Sequence, residues 1–236
     1  MLSYLELVKQ SIKCVSIPKT FSLSGPKKIS KKDNCAFSLP AGLEFSCPGA
    51  TEACKKCYAQ KSRHLWSPVQ KAFARNWKLI RHFERHGKDK EAALHLIHLI
   101  PKNIGNFRIF ESGDFVSPWV VGLWANVVKQ RQDVNFWAYT RSFDLDFTPL
   151  TRNKNFTLWA STDDFNIQKA KQFVRRFKKS GTKHAYGPWP HDRDIPKNSV
   201  ICPTTSGRLK MQGACEKCKL CIIKKRINKN IVFLAH

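Results

Sequence analysis

Carboxylates are what this chain lacks most. Its 236 residues hold 17 Asp and Glu against 42 Lys and Arg, a formal net charge of +25. Solubility asks for far less, and a polyanionic partner, DNA or RNA, is the expectation an excess of this size supports. Long apolar runs are missing too. None approaches the ~18 residues of a membrane-spanning helix, so no membrane partner is expected. The N-terminus, MLSYLELVKQSIKC, has neither an early charged segment nor a long apolar one, which predicts no secretion signal and a cytoplasmic chain. Sequence repeats and low-complexity tracts are absent.

What is present is an apolar fraction of 42%, enough for a real core, and nine cysteines. The length fits one large domain, or one domain with a small appendage. Without a secretion signal, the tight C-x2-C pairs favour metal-bound thiolates over disulfides. The cations fall in short runs: Lys27-Lys28, Lys31-Lys32, Arg175-Arg176 with Lys178-Lys179, and Lys224-Lys225-Arg226 just after the last cysteine.

Three segments follow from these shifts. Residues 1–46 predict a short helix and a basic arm, 47–200 an α/β core carrying the first cysteine loop, and 201–236 a C-terminal metal-cluster segment with a basic tail. Within the core, Ser67 is the expected N-cap and Pro68 the first residue of a helix whose apolar face is Val69, Phe73, Trp77, Ile80 and Phe83, with Gly87 as its stop. A second helix, about 89–100, ends before Pro101. Strands are expected at 107–110, 134–139 and 156–160, with weaker ones near 184–186 and 200–201. Helices are expected at 117–130, opened by Ser117-Pro118, and at about 166–179. Alternation of this kind predicts a partial (β/α) barrel or an open, mostly parallel sheet. In either, residues just past the strand ends line the functional face.

The chemistry-bearing residues are the cysteines. Cys47, Cys54 and Cys57 stand at C-x6-C-x2-C in a Gly/Pro-bearing loop. Three thiols leave one position of a four-iron cluster open to a ligand, unless Cys35 supplies a fourth. Cys14 reads as a buried or unligated thiol. Cys215, Cys218 and Cys221 form C-x2-C-x2-C, with Cys202-Pro203 thirteen residues upstream. That set predicts a second [4Fe–4S] cluster, with a four-thiolate zinc site as the alternative. The letters of a zinc-deaminase motif occur at His82-Phe83-Glu84, but its partner P-C-x-x-C does not. His95 and His98 read as ordinary helix residues. In so acid-poor a chain, Asp114, Asp163 and Asp164 stand out because they follow strands. Helix N-capping is the plain alternative for the last two. In Ser112-Gly113-Asp114, the glycine would let the backbone approach a small ligand closely.

Together, Ser38-Leu39-Pro40-Ala41-Gly42, Cys47-Pro48-Gly49, Cys57-Tyr58-Ala59, Ser112-Gly113-Asp114-Phe115, Tyr139-Thr140-Arg141-Ser142 and the final cysteine group resemble the phage gene product 88 family. More distantly, the arrangement is similar to radical S-adenosylmethionine enzymes. In those, three loop thiols bind a four-iron cluster whose remaining iron chelates the cofactor, and a Gly-rich acidic motif after the next strand holds its amino group. The resemblance puts Ser112, Gly113 and Asp114 in that place, with Tyr58 beside the last thiol. Thr140, Ser142, Ser161 and Asp163 complete a candidate cofactor face at later strand ends. The usual loop is C-x3-C-x2-C, and two helices here separate the loop from the first clear strand. The expectation is an iron–sulfur protein of radical S-adenosylmethionine-like type that binds or modifies nucleic acid. The alternative is a non-enzymatic nucleic-acid-binding protein stapled by iron–sulfur or zinc sites.

Overall fold

The computed structural model of the protein describes residues 3–25, 28–29, 35–224 and 226–235. Lys27, Lys31, Lys32 and Lys225 of the basic runs lie outside the described residues. Six strands form one open, all-parallel sheet: β1 (Asn106–Arg108), β2 (Asn135–Thr140), β3 (Phe156–Thr162), β4 (Lys183–Trp189), β5 (Ser199–Ile201) and β6 (Asn230–Leu234). Their spatial order is β1-β2-β3-β4-β6-β5, so the open parallel sheet expected from the strand–helix alternation is what forms. α4 (Pro118–Gln130), the short α5 (Thr148–Thr151) and α6 (Ile167–Arg176) bridge successive pairs from β1 to β4.

Strand register sorts the side chains to two faces. Phe107, Phe136, Ala138, Leu158 and Ala160 pack into the core beneath the helices, with Phe107 against the ring of Trp124 on α4 at 6.0 Å. Arg108, Tyr139, Thr157 and Trp159 point the other way. The C-terminal cysteine segment covers that face, its Ile222 carbonyl accepting from Thr157 Oγ1 and its Cys221 carbonyl from Trp159 Nε1, both at 2.9 Å. The sheet is thus buried on both sides, as parallel sheets require.

Around it stand α1 (Tyr4–Cys14), α2 (Ser67–Arg85) and α3 (Asp89–Leu99). α1 opens with a capping box between Ser3 and Glu6. Ser117 caps α4 as expected, accepting from the Val120 N–H at 3.3 Å. Ser67 does not cap α2: it already lies inside the helix, Trp66 is the N-cap, and no side chain serves there. The expected helix at 166–179 ends at Arg176, and a separate 3-10 turn follows to Ser180.

One sheet feature was not anticipated. Residues 35–39, assigned to the basic arm, run alongside β1. Arg108 N–H donates to the Cys35 carbonyl at 3.0 Å, Phe37 N–H to Arg108 at 3.1 Å, Glu111 N–H to Phe37 at 3.0 Å, and Leu39 N–H to Ser112 at 2.9 Å. The Ala36–Arg108 pairing is parallel. A strand-like segment therefore leads directly into the first cysteine loop, and the loop leaves the sheet at its C-terminal edge.

Candidate functional site

The first cysteine loop is bound to three strand ends at once. After β1, Ser112 Oγ donates to the Leu39 carbonyl at 2.9 Å, and Asp114 N–H to the Ser46 carbonyl at 3.1 Å. After β2, the Arg141 carbonyl presses against Gly49, where a Cβ would stand only 2.0 Å away. After β3, Asp163 Oδ2 accepts from Thr51 Oγ1 at 2.7 Å. The six residues between Cys47 and Cys54 are what let the loop reach across β2 and β3.

Within the loop, each sulfur has a backbone N–H directed at it. Gly42 donates to Cys47 and Thr51 to Cys54, both at 3.4 Å, and Ala59 to Cys57. Such donors favour thiolate over thiol and are a usual support of metal–thiolate bonds. Burial opposes them. It pushes the Cys47 thiol up to about 12, helped by the Asp114 carboxylate, and raises Cys57 as well. A sulfur so placed stays protonated unless a cation replaces the proton, and a metal is such a cation.

Cys57 and Cys54 both act to raise Cys47, Cys54 acts to raise Cys57, and no other thiol is among the main influences on Cys47. Cys35 packs in the main core instead, whereas Cys47 and Cys57 border a separate apolar cluster of Tyr4, Val8, Ala41 and Ala59. Along the extended segment it stands four residues before Leu39, on the order of 13 Å at strand rise. Cys14 is exposed at the end of α1.

Ser112, Gly113 and Asp114 hold the loop. Gly113 has φ +87°, and a Cβ there would lie 2.5 Å from Ser46 Oγ and 2.8 Å from Leu39 Cβ. The close approach that this glycine permits is therefore made by the protein's own chain. Asp114 accepts from the N–H groups of Phe115 and Arg141, both at 2.7 Å. Burial raises it to about 6 despite those donors and the Thr140 hydroxyl. Thr140 Oγ1 also accepts from Ser142 N–H at 2.9 Å, and Ser142 Oγ donates to the Phe115 carbonyl at 2.7 Å. The Ser161 carbonyl accepts from the Asn166 amide at 3.0 Å. Asp163 is not the N-cap of α6, which is Asn166. Its Oδ2 instead accepts from Arg141 Nε at 3.2 Å and Nη2 at 3.0 Å. This keeps the Arg141 guanidinium near Cys54. Asp164 pairs with Arg193 at the surface.

Tyr58 turns its ring to solvent, but its hydroxyl donates to the Glu111 carbonyl and accepts from Arg108 Nη2 at 3.2 Å. Glu111 is held in its charged form. Burial works against its ionisation, yet the His64 hydrogen bond and the charges of Arg108 and Arg63 hold it down to about 2. Neither Arg63 nor His64 stood out in the sequence, because their role depends on Glu111 coming from another element.

The second group also gathers. Cys202 directly follows β5, the short helix α7 (Ala214–Cys218) carries Cys215 and Cys218, and Lys219 at φ +57° turns the chain back to Cys221. Cys202, Cys215 and Cys218 all raise the proton affinity of Cys221, after its burial, while the Tyr139 hydroxyl donates to its sulfur. None of the nine cysteines is in a disulfide. Among the described residues no group of three or more His, Cys, Asp or Glu side chains is arranged to hold a metal ion. Also among the described residues, no helix is long and apolar enough to cross a membrane.

Over residues 11–224 the chain matches the family described as Gene product 88. It is 30% identical over 216 residues to the Gene 88 protein of Mycobacterium phage L5, covering 84% of this chain and 85% of that protein. It is 31% identical over 205 residues to the Gene 88 protein of Mycobacterium phage D29, covering 79% and 82% respectively. No solved structure matches it.

Proposed function

The chain belongs to the phage gene product 88 family, and from the geometry of its thiols we propose that it is an iron–sulfur protein that binds nucleic acid. The observation carrying this reading is the first loop. Its three half-buried sulfurs each receive a backbone N–H, and the loop is held at the C-terminal edge of a parallel sheet. Cys47, Cys54 and Cys57 would hold one cluster, and Cys202, Cys215, Cys218 and Cys221 the other. The sequence spacing C-x2-C-x2-C with a remote Cys202-Pro203 suits a cluster, whose thiolates go to separate irons, better than a single zinc ion.

The finer form of the reading is a radical S-adenosylmethionine-like enzyme acting on the bound nucleic acid. When bound, the three-thiol cluster would supply reducing power for cleavage of that cofactor. This chain's own residues would shape the site: Arg141, fixed by Asp163, sets positive charge beside Cys54, and α1 shields Cys47 and Cys57 from water. A second reading is a non-enzymatic binding protein with structural metal sites. Asp114 and Ser112 favour it, because their polar atoms are already engaged in holding the loop and its neighbours.

Anaerobic purification followed by iron, sulfide and zinc analysis tests the cluster reading. Iron and sulfide with visible absorbance are expected, and zinc in a colourless protein would sink it. Cys54→Ala then separates the two readings. Loss of cofactor cleavage with an intact fold supports the enzyme, and collapse of the fold supports the staple.

A further inference from the structure

The fold takes nearly every aromatic side chain out of solvent. Of the chain's 16 Phe, 7 Trp and 4 Tyr, only Tyr58, Trp66 and Phe165 are exposed among the described residues, at 54%, 66% and 67%. All three stand at the C-terminal edge of the sheet. The Tyr58 hydroxyl donates to the Glu111 carbonyl, just past β1. Trp66 comes two residues after His64, whose Nε2 lies 3.3 Å from Glu111 Oε1. Phe165 follows β3 closely, its N–H donating to Asp163 Oδ1 at 3.0 Å. The cysteine loop joins them, because Thr51 donates to the same Asp163 and the chain runs from there through Cys54 and Cys57 to Tyr58.

Scattered exposed apolar residues need no explanation, but an aromatic set confined to one edge does. The free charge around it is positive. Glu52 is the only acid between Glu44 and Glu84, and it pairs with Lys55 at 2.6 Å. Glu111 and Asp163 are held by Arg63 and Arg141, and Asp164 by Arg193. Lys56 and Lys61 are exposed, and no ion pair engages them among the described residues. A protein partner fits this surface poorly, since lysine is depleted at protein interfaces. A duplex fits poorly for another reason: its base faces are stacked on one another and closed to an aromatic ring. An unpaired strand brings both phosphates for the lysines and open base faces for the rings.

We propose that the polyanion is a single-stranded nucleic acid, which crosses the C-terminal edge of the sheet with bases stacked on Phe165, Tyr58 and Trp66 and phosphates beside Lys56 and Lys61. The proposal rests on the nucleic-acid half of the reading above and is independent of any metal. Trp66 and Phe165 are the residues to vary. Tyr58 is left out, because its hydroxyl also holds the Glu111 carbonyl and Arg108.

The test is a fluorescence-anisotropy titration of the full chain with labelled oligothymidylate and oligouridylate of about 12 nucleotides, inside the usual site size, and with a duplex of the same length. At least one single strand is expected to bind more tightly than the duplex. Trp66→Leu and Phe165→Ala should each weaken single-strand binding at least about fivefold, whereas Trp66→Tyr keeps most of it. Their salt slopes should stay at the wild-type value. In Lys56→Gln with Lys61→Gln the slope should instead fall by about 0.7 for each phosphate no longer neutralised. Duplex bound as tightly as both single strands would overturn the proposal and leave the nucleic-acid reading standing. So would wild-type single-strand affinity in either Trp66→Leu or Phe165→Ala. Should one of the two not fold, the other decides alone. Binding of neither single strand nor duplex overturns the nucleic-acid reading and this inference with it.

Discussion

Gly49 shows how much of the site is decided by single residues. A methyl group there would sit 2.0 Å from the Arg141 carbonyl, backbone against backbone, so neither side can yield cheaply. Gly49→Ala is expected to destabilise by about 1–3 kcal/mol or more, read as a lower urea midpoint. Gly122→Ala, inside α4 with open space around it, should instead stabilise by up to about 1 kcal/mol. Equal effects would refute the close-approach argument. His184 makes a different single-residue prediction. Burial, with a smaller push from Lys171, lowers it to about 4, and its Nδ1 shares a hydrogen bond with Thr162 at 2.9 Å. An unfolded histidine takes its proton near 6.5, so between pH 6.5 and 4 the unfolded chain holds more protons. Stability is therefore full above 6.5 and falls as pH drops through that window, by on the order of 3 kcal/mol for this group. Denaturant unfolding at pH 7 and pH 4.5 should show the loss, and His184→Gln should reduce it. The sequence marked Gly113 as a point of close approach but not what approaches. It held no sign of His184's burial, because local pattern does not report which strand lies alongside.

Elements were easier to read than their partners. The repeat of apolar residues located α2, α3, α4 and α6 and the first three strands, with β4 and β5 as weaker expectations, since periodicity survives whatever packs against it. The segment at 35–39 was missed because its few ladder bonds are split between Ser24 and residues 108–112, some seventy residues away in sequence. β6 was missed although Asn230-Ile-Val-Phe-Leu is rich in β-formers, because it follows a stretch dominated by cysteines and cations. The same long-range pairing gives α1 a function its sequence does not announce. The Tyr4 hydroxyl accepts from the Ala41 N–H at 2.9 Å, and its ring closes an apolar cluster over Cys47 and Cys57. Tyr4→Ala should cost about 3–5 kcal/mol as an aromatic truncation. In metal-free protein it should also speed alkylation of Cys47 and Cys57 much more than that of Cys14, which is already exposed. Unchanged alkylation, followed by peptide mapping, would mean that α1 does not shield the loop.

At the scale of the whole molecule, the charge excess and the thiol face are connected by α6. The helix begins four residues past Asp163, and Lys169, Lys171, Arg175, Lys178 and Lys179 on it and just after it are exposed, with no acid between 167 and 179. Phe165, 67% exposed, stands where this cationic face meets the thiol edge of the sheet. A phosphate backbone laid along α6 would thus deliver a base to an aromatic surface beside Asp163 and Thr51. The sequence displayed Arg175-Arg176 and Lys178-Lys179 as one basic run among several, and only the fold singles it out by placing it next to the loop. Arg176 is partly spent on the carbonyls of Phe143 and Leu145, so it is left out of the test. Replacing the other five cations with Gln should leave stability within about 0.5 kcal/mol, since each is on the surface. It should lower the slope of log affinity against log salt by about 0.9 for each phosphate no longer neutralised on duplex DNA, and by about 0.7 on a single strand. Replacing the exposed Lys102, Lys129 and Lys154, which stand before β1, β2 and β3 at the opposite edge of the sheet, should change the slope much less. If both variants lower the slope equally per charge removed, the excess acts as a diffuse field. A drop confined to the α6 variant makes the polyanion a ligand placed by the fold against its thiol edge.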